Sequence, residues 1–121
     1  MADPIDAADI TDDDILWRRI DPGMIDQGPA GVESIQSWAF KDQSKEISVY
    51  LARETTQLAV LAAGKPGQIL LGITARSIRA LGFKVVRDPD PDNAAHCLVL
   101  PYPNKPMLKA LAVASRRIEA D

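Results

Sequence analysis

Hydrophobic and polar positions alternate in short runs along most of this chain, and glycine- and proline-bearing turns separate the runs. The pattern predicts several short strands with brief helices between them. In "ISVYLA" the residues Ile47, Val49 and Leu51 recur at period two, as do Trp38 and Phe40 in "SWAF". With "DQSK" as the turn between them, the two runs read as a β-hairpin. "QILLGIT" is an unbroken apolar run of strand length, the signature of a strand buried on both faces. "FKVVR" and "HCLVL" add two further strands.

Three helices fall between and after these runs. "ETTQLAVLAAG" puts Leu58, Leu61 and Ala62 on one face and closes at Gly64 and the Lys65-Pro66-Gly67 turn. Thr74 is placed to cap "ARSIRAL", which stops at Gly82 in a left-handed conformation. Asn104 caps "KPMLKALAVASRRI", with Pro106 in the first turn, where its missing N–H costs nothing. "DDDILWRRIDP" fits either a strand or a short helix started by Asp12 to Asp14. The expected fold is therefore α+β: one domain over residues 14–121, with a mixed sheet of about five strands and helices packed on it.

Charge changes the picture at the N-terminus. The chain of 121 residues carries −3 overall, but residues 1–26 hold eight aspartates against Arg18 and Arg19, leaving +3 on the remainder. Residues 1–13 are expected to form a disordered acidic leader. They contain neither the basic region nor the apolar region of a signal peptide, and no apolar run approaches the ~18 residues of a membrane span. Cys97 is the single cysteine, in an apolar stretch, so no internal disulfide forms. These features point to a cytoplasmic location.

The candidate chemistry centres on "DPDPDNAAH", which sets His96, the single histidine, beside Asp88, Asp90, Asp92 and Asn93. Two Asp-Pro pairs force extended or turn backbone, and Asp92 with Asn93 suits an Asx-turn, so a turn explains the whole segment. The competing reading makes His96 a general acid or base, since its side chain titrates near neutrality, with the aspartates orienting the ring. His96 and Cys97, adjacent in a strand, face opposite ways and cannot chelate one ion; the aspartates lack the glycine and distal glutamate of a calcium loop. Neither a metal nor a cofactor is expected, and no nucleophile-elbow or phosphate-loop motif occurs.

Lys105, Lys109 and Arg116 form one stripe on the last helix and Arg76 and Arg79 a pair on the short one; both read as solvated faces. Nucleic-acid binding would require a basic chain with exposed aromatics among the charges, and this chain is acidic. Arg18-Arg19 is the unusual pair. If its segment is a strand, one arginine faces inward and requires a carboxylate or phosphate, with an Arg–Asp bridge as the simplest solution.

"LWRRI", "SWAFKD", "ISVYLA" and "DPDPDNAAHCLV" together resemble a group of small bacterial proteins over roughly residues 16–115. That resemblance implies a bacterial cytosolic domain and assigns no residue a role. A fainter similarity runs to ADP-ribosyltransferase-like domains, which place an arginine or histidine on an early strand and a serine on a later one, matched here by Arg18 or Arg19 and Ser48. No counterpart of their catalytic glutamate is evident.

The leading expectation is a non-catalytic accessory or adaptor domain acting through protein–protein contacts beside a larger effector in a bacterial operon. Its contact elements would be the acidic leader and the proline-rich loops, through Asp88, Asp90, Asp92, Asn93, Tyr102, Asn104 and Lys105. The alternative is a small transferase or hydrolase using Arg18 or Arg19 with Ser48, Asn93 and His96. Convergence of those residues in one pocket separates the two.

Overall fold

The computed structural model describes residues 5–119. Its strands are β1 (Ile15–Ile20), β2 (Ile25–Gln27), β3 (Glu33–Ile35), β4 (Ile47–Leu51), β5 (Ile69–Thr74), β6 (Lys84–Arg87), β7 (His96–Leu100) and β8 (Arg116–Arg117). The helices are α1 (Gln57–Ala62), α2 (Ala75–Ala80) and α3 (Lys105–Ala114). Six strands form one sheet in the order β6-β7-β4-β1-β5-β8, and β2 pairs with β3 in a small second sheet. The fold is α+β. Every neighbouring pair in the large sheet is antiparallel, where a mixed sheet was expected.

Strand alternation divides the apolar residues between two faces. Leu16 and Ile20 of β1, Val49 and Leu51 of β4, Leu71 and Ile73 of β5, Val85 and Cys97 point to the main core, where Ile78 of α2 and Leu111 of α3 close over them. The other face holds a smaller cluster of Tyr50, Leu70 and Val60, with Trp17 and Ile118 against it. The ambiguous N-terminal segment is thus a strand, and β5 is buried on both faces as its apolar run predicts.

The helix caps match their sequence signals. Thr74 accepts a hydrogen bond from the Ser77 amide at 3.1 Å, Asn104 one from Met107 at 3.1 Å, and Gly82 adopts φ +94° just past α2. Three local expectations are corrected. Ser37–Phe40 is a 3₁₀ helix, not the first arm of a hairpin: Ala39 and Phe40 turn into the core while Trp38 stays exposed. In α1 the buried residue is Val60, and Leu58 faces solvent. The last helix stops at Ala114, and Arg116 sits on β8, so it leaves the predicted stripe with Lys105 and Lys109.

Residues 1–4 of the leader lie outside the described ones, and residues 5–13 form neither helix nor strand. Asp6 to Asp14 pack on the domain, with Ile10 1 % exposed and Ala7 buried. The Ala7 amide donates to the Val85 carbonyl at 2.8 Å, and the Val85 amide donates to the Asp6 carboxylate at 2.9 Å. The leader therefore occupies the outer edge of β6, hydrogen-bonding groups an edge strand leaves open. Arg79 clamps it through the Asp6 and Asp12 carboxylates and the Ala7 and Ile10 carbonyls, and Arg87 adds Asp9. Arg76 pairs with Asp13 at the surface and stays solvated as expected, whereas Arg79 does not.

Candidate functional site

β1 hydrogen-bonds to β5 along its whole length but meets β4 only at Leu16–Leu51 and Trp17–Tyr50. Beyond Trp17 the two strands part, because β4 continues along β7 through Ile47. The gap must satisfy backbone carbonyls that no longer have a ladder partner. Arg18 does this. Its Nε donates to the Ala39 carbonyl at 2.8 Å, Nη1 to Ser48 at 3.1 Å and Nη2 to Lys41 at 3.4 Å. The guanidinium also lies 5.5 Å from the Phe40 ring centre and 3.9 Å from the Asp42 carboxylate. Burial lowers the Arg18 pKa and Asp42 opposes that shift. The inward arginine expected from the sequence is thus held chiefly by main-chain oxygens, with the anticipated aspartate at the margin.

Arg19 points to the other face. It donates to the Val60 carbonyl at 2.9 Å and lies over the Tyr50 ring at 5.1 Å. Gly64, at the end of α1, makes room for it: a Cβ there would come within 2.6 Å of Arg19 Cδ. Together these residues line a cleft of about 480 Å³ whose walls also include Ser48, Lys65 and Gln68, with Asp21 and Asp42 among the lining residues. The Asp42 carboxylate is engaged by the Ser44 amide and hydroxyl. Its burial raises the pKa, but the Ser44 bonds and Arg18 prevail and hold it below the ordinary value.

His96 lies one strand over from the cleft, behind Tyr50, and does not line it. Its Nδ1 is 2.8 Å from the Asp88 carbonyl and 3.1 Å from the Asp88 carboxylate, and the ring meets Tyr50, its partner in register, edge-on at 5.2 Å. The residue is only 8 % exposed. The loop before it is a closed turn. Asp90 and Asn93 exchange backbone hydrogen bonds, the Asp90 carboxylate accepts from the Asp92 amide at 2.9 Å, and Asn93 Oδ1 accepts from Ala95 at 3.0 Å. The Asn93 amide group donates to Thr55 Oγ1. Asp88, Asp90 and Asp92 remain exposed.

Arg18, Arg19 and Ser48 therefore meet in one cleft, whereas Asn93 and His96 do not line it. No family model, curated protein or solved structure matches this chain.

The proposed contact residues separate as well. Tyr102, Asn104 and Lys105 follow the C-terminal end of β7 while Asp88 to Asn93 precede its N-terminal end, five residues or roughly 17 Å away. The Tyr102 hydroxyl accepts from the Asp42 amide, Lys45 lies over its ring, and Asn104 caps α3, so this second loop is tied into the fold. Sequence reasoning passed over Tyr50, Gly64, Lys65 and Gln68. "GKPGQ" carried only a turn signal, and the cleft depends on where two strands diverge.

Cys97 is fully buried on the main-core face, and desolvation pushes its thiol pKa up to about 11. Among the described residues no three His, Cys, Asp or Glu side chains gather as metal ligands, and no helix is long and apolar enough to cross a membrane.

Proposed function

We propose that this chain is a bacterial cytoplasmic accessory domain that works by protein contact through the loop Asp88–Asn93, without itself catalysing a reaction. The supporting observation is how His96 is spent. Its Nδ1 faces Asp88 and its ring packs on Tyr50, leaving little surface for a substrate. The same turn that holds His96 presents Asp88, Asp90 and Asp92 to solvent on a backbone fixed by its own hydrogen bonds. A preorganised loop loses little entropy on binding, and three carboxylates suit a partner surface rich in arginine or lysine.

The test is affinity purification from the native host with the wild-type chain and with a D90N/D92N double variant. The reading expects a stoichiometric partner on the wild-type chain, and its loss from the variant at unchanged Tm. Equal recovery on both would refute a role for the loop.

A second reading, a small transferase or hydrolase, is favoured by the meeting of Arg18, Arg19 and Ser48 in one cleft. Such an enzyme would have to work without His96 and Asn93, and Arg18 would serve it while holding three carbonyls. The protein-contact reading requires neither condition.

A further inference from the structure

We propose that the cleft between β1 and β4 is a binding site for the phosphate group of a small phosphorylated molecule. It is distinct from the protein-contact loop, none of whose residues lines the cleft.

The inference rests on donors left unspent in a concave place. A guanidinium offers five N–H groups. Arg19 uses one of them, on the Val60 carbonyl. Arg18 uses three, on Ala39, Ser48 and Lys41, which leaves two. The Lys65 ammonium and the Ser48 hydroxyl make no hydrogen bond among the described residues, and both residues line the same cleft. Three cationic residues thus line one cleft, with Arg18 reaching it from the core side of β1 and Arg19 from the other.

The neighbouring carboxylates keep their charge, Asp42 beside Arg18 at 3.9 Å with bonds from Ser44 and Asp21 with a bond from the Gln68 side chain at 3.4 Å, so the lining carries a net +1. A tetrahedral dianion accepts from several such donors at once, which one planar carboxylate cannot do as fully. At about 480 Å³ the cleft is larger than a bare phosphate and lies within the range of small-molecule sites, so the rest of the ligand has room beside Tyr50 and Met24. Gly64 belongs to the same device, because any side chain there would displace Arg19.

Isothermal titration of the full chain with inorganic phosphate and with phenyl phosphate, at ionic strength fixed by sodium chloride, tests this. Saturable binding is expected for both, tighter for phenyl phosphate. R19Q and K65Q should each weaken it roughly tenfold, as for one lost charge-assisted hydrogen bond. K109Q, on the exposed side of α3, should leave it unchanged. Lys65 is exposed, so K65Q keeps the fold intact and the comparison interpretable. Absence of binding, or binding that K65Q and R19Q leave as strong as in K109Q, would overturn the proposal.

Discussion

Replacing Arg18 by methionine isolates what its guanidinium contributes, because the chain length of the side chain is largely kept. The variant loses the hydrogen bonds to Ala39, Ser48 and Lys41. These losses are unequal. Ala39 is 1 % exposed, so its carbonyl is left dry, at a cost of about 1–3 kcal/mol. Ser48 is half-buried and Lys41 exposed, so water can replace the guanidinium at their carbonyls for a few tenths of a kcal/mol each. Against this, methionine removes the burden of a desolvated charge whose counter-ion among the described residues is Asp42, at 3.9 Å. The balance is a loss of about 2–3 kcal/mol, or roughly 6–12 °C in Tm for a domain of this size. Urea unfolding followed by tryptophan fluorescence measures it, with R19M as the control. Arg19 holds one carbonyl and one ring face, and its loss should cost about 1 kcal/mol. R18K should fall between wild type and R18M, since an ammonium cannot span all three carbonyls. If R18M is as stable as wild type to within ~0.5 kcal/mol, the structural account of Arg18 is wrong.

Deleting residues 1–10 removes the fully buried Ile10 and uncovers the edge of β6. Calorimetry should show a loss of at least ~2 kcal/mol, and sedimentation should show self-association through the freed edge; an unchanged monomer would contradict the packed leader. The leader should also loosen in acid. Arg87 hydrogen bonds lead the forces that hold Asp9 and Glu54 below their ordinary 3.8 and 4.5. Because the folded values are depressed, the tie is complete above that range and is lost as pH falls through the lower folded values. Hydrogen exchange of the Ala7 amide should therefore lose protection below about pH 4 and remain constant from pH 5 to 8. Native Cys97 should resist an aromatic disulfide reagent at pH 8 and react fully in denaturant; fast native labelling would show an accessible thiol.

Local physics was legible in the sequence and long-range pairing was not. Thr74, Gly82 and Asn104 act through atoms a few residues away, so their roles follow from spacing alone. Trp38 and Phe40 mislead because two apolar residues separated by one fit a strand as well as a 3₁₀ turn, and Ala39 between them, which is buried, breaks the alternation only once the fold is known. The leader looked unable to order itself because Asp6 and Asp9 meet Arg79 and Arg87 across more than seventy residues. The end of α3 was hidden for a similar reason. Arg116 and Arg117 leave the helix to pair with β5, where Gly72 leaves space for Ile118. His96 illustrates both sides: its turn was readable from Asp-Pro and Asn93, but its place behind Tyr50, outside the arginine cleft, required the strand pairing.

Complementation of a deletion in the native host measures the central claim most directly, comparing H96Q with D90N/D92N at matched protein levels. Glutamine cannot act as a general acid or base, yet it can still hydrogen-bond to Asp88, so a domain that works by contact keeps its function in H96Q and loses it in D90N/D92N. Loss of function in a normally folded H96Q, with D90N/D92N behaving as wild type, would contradict the account and make His96 the working group.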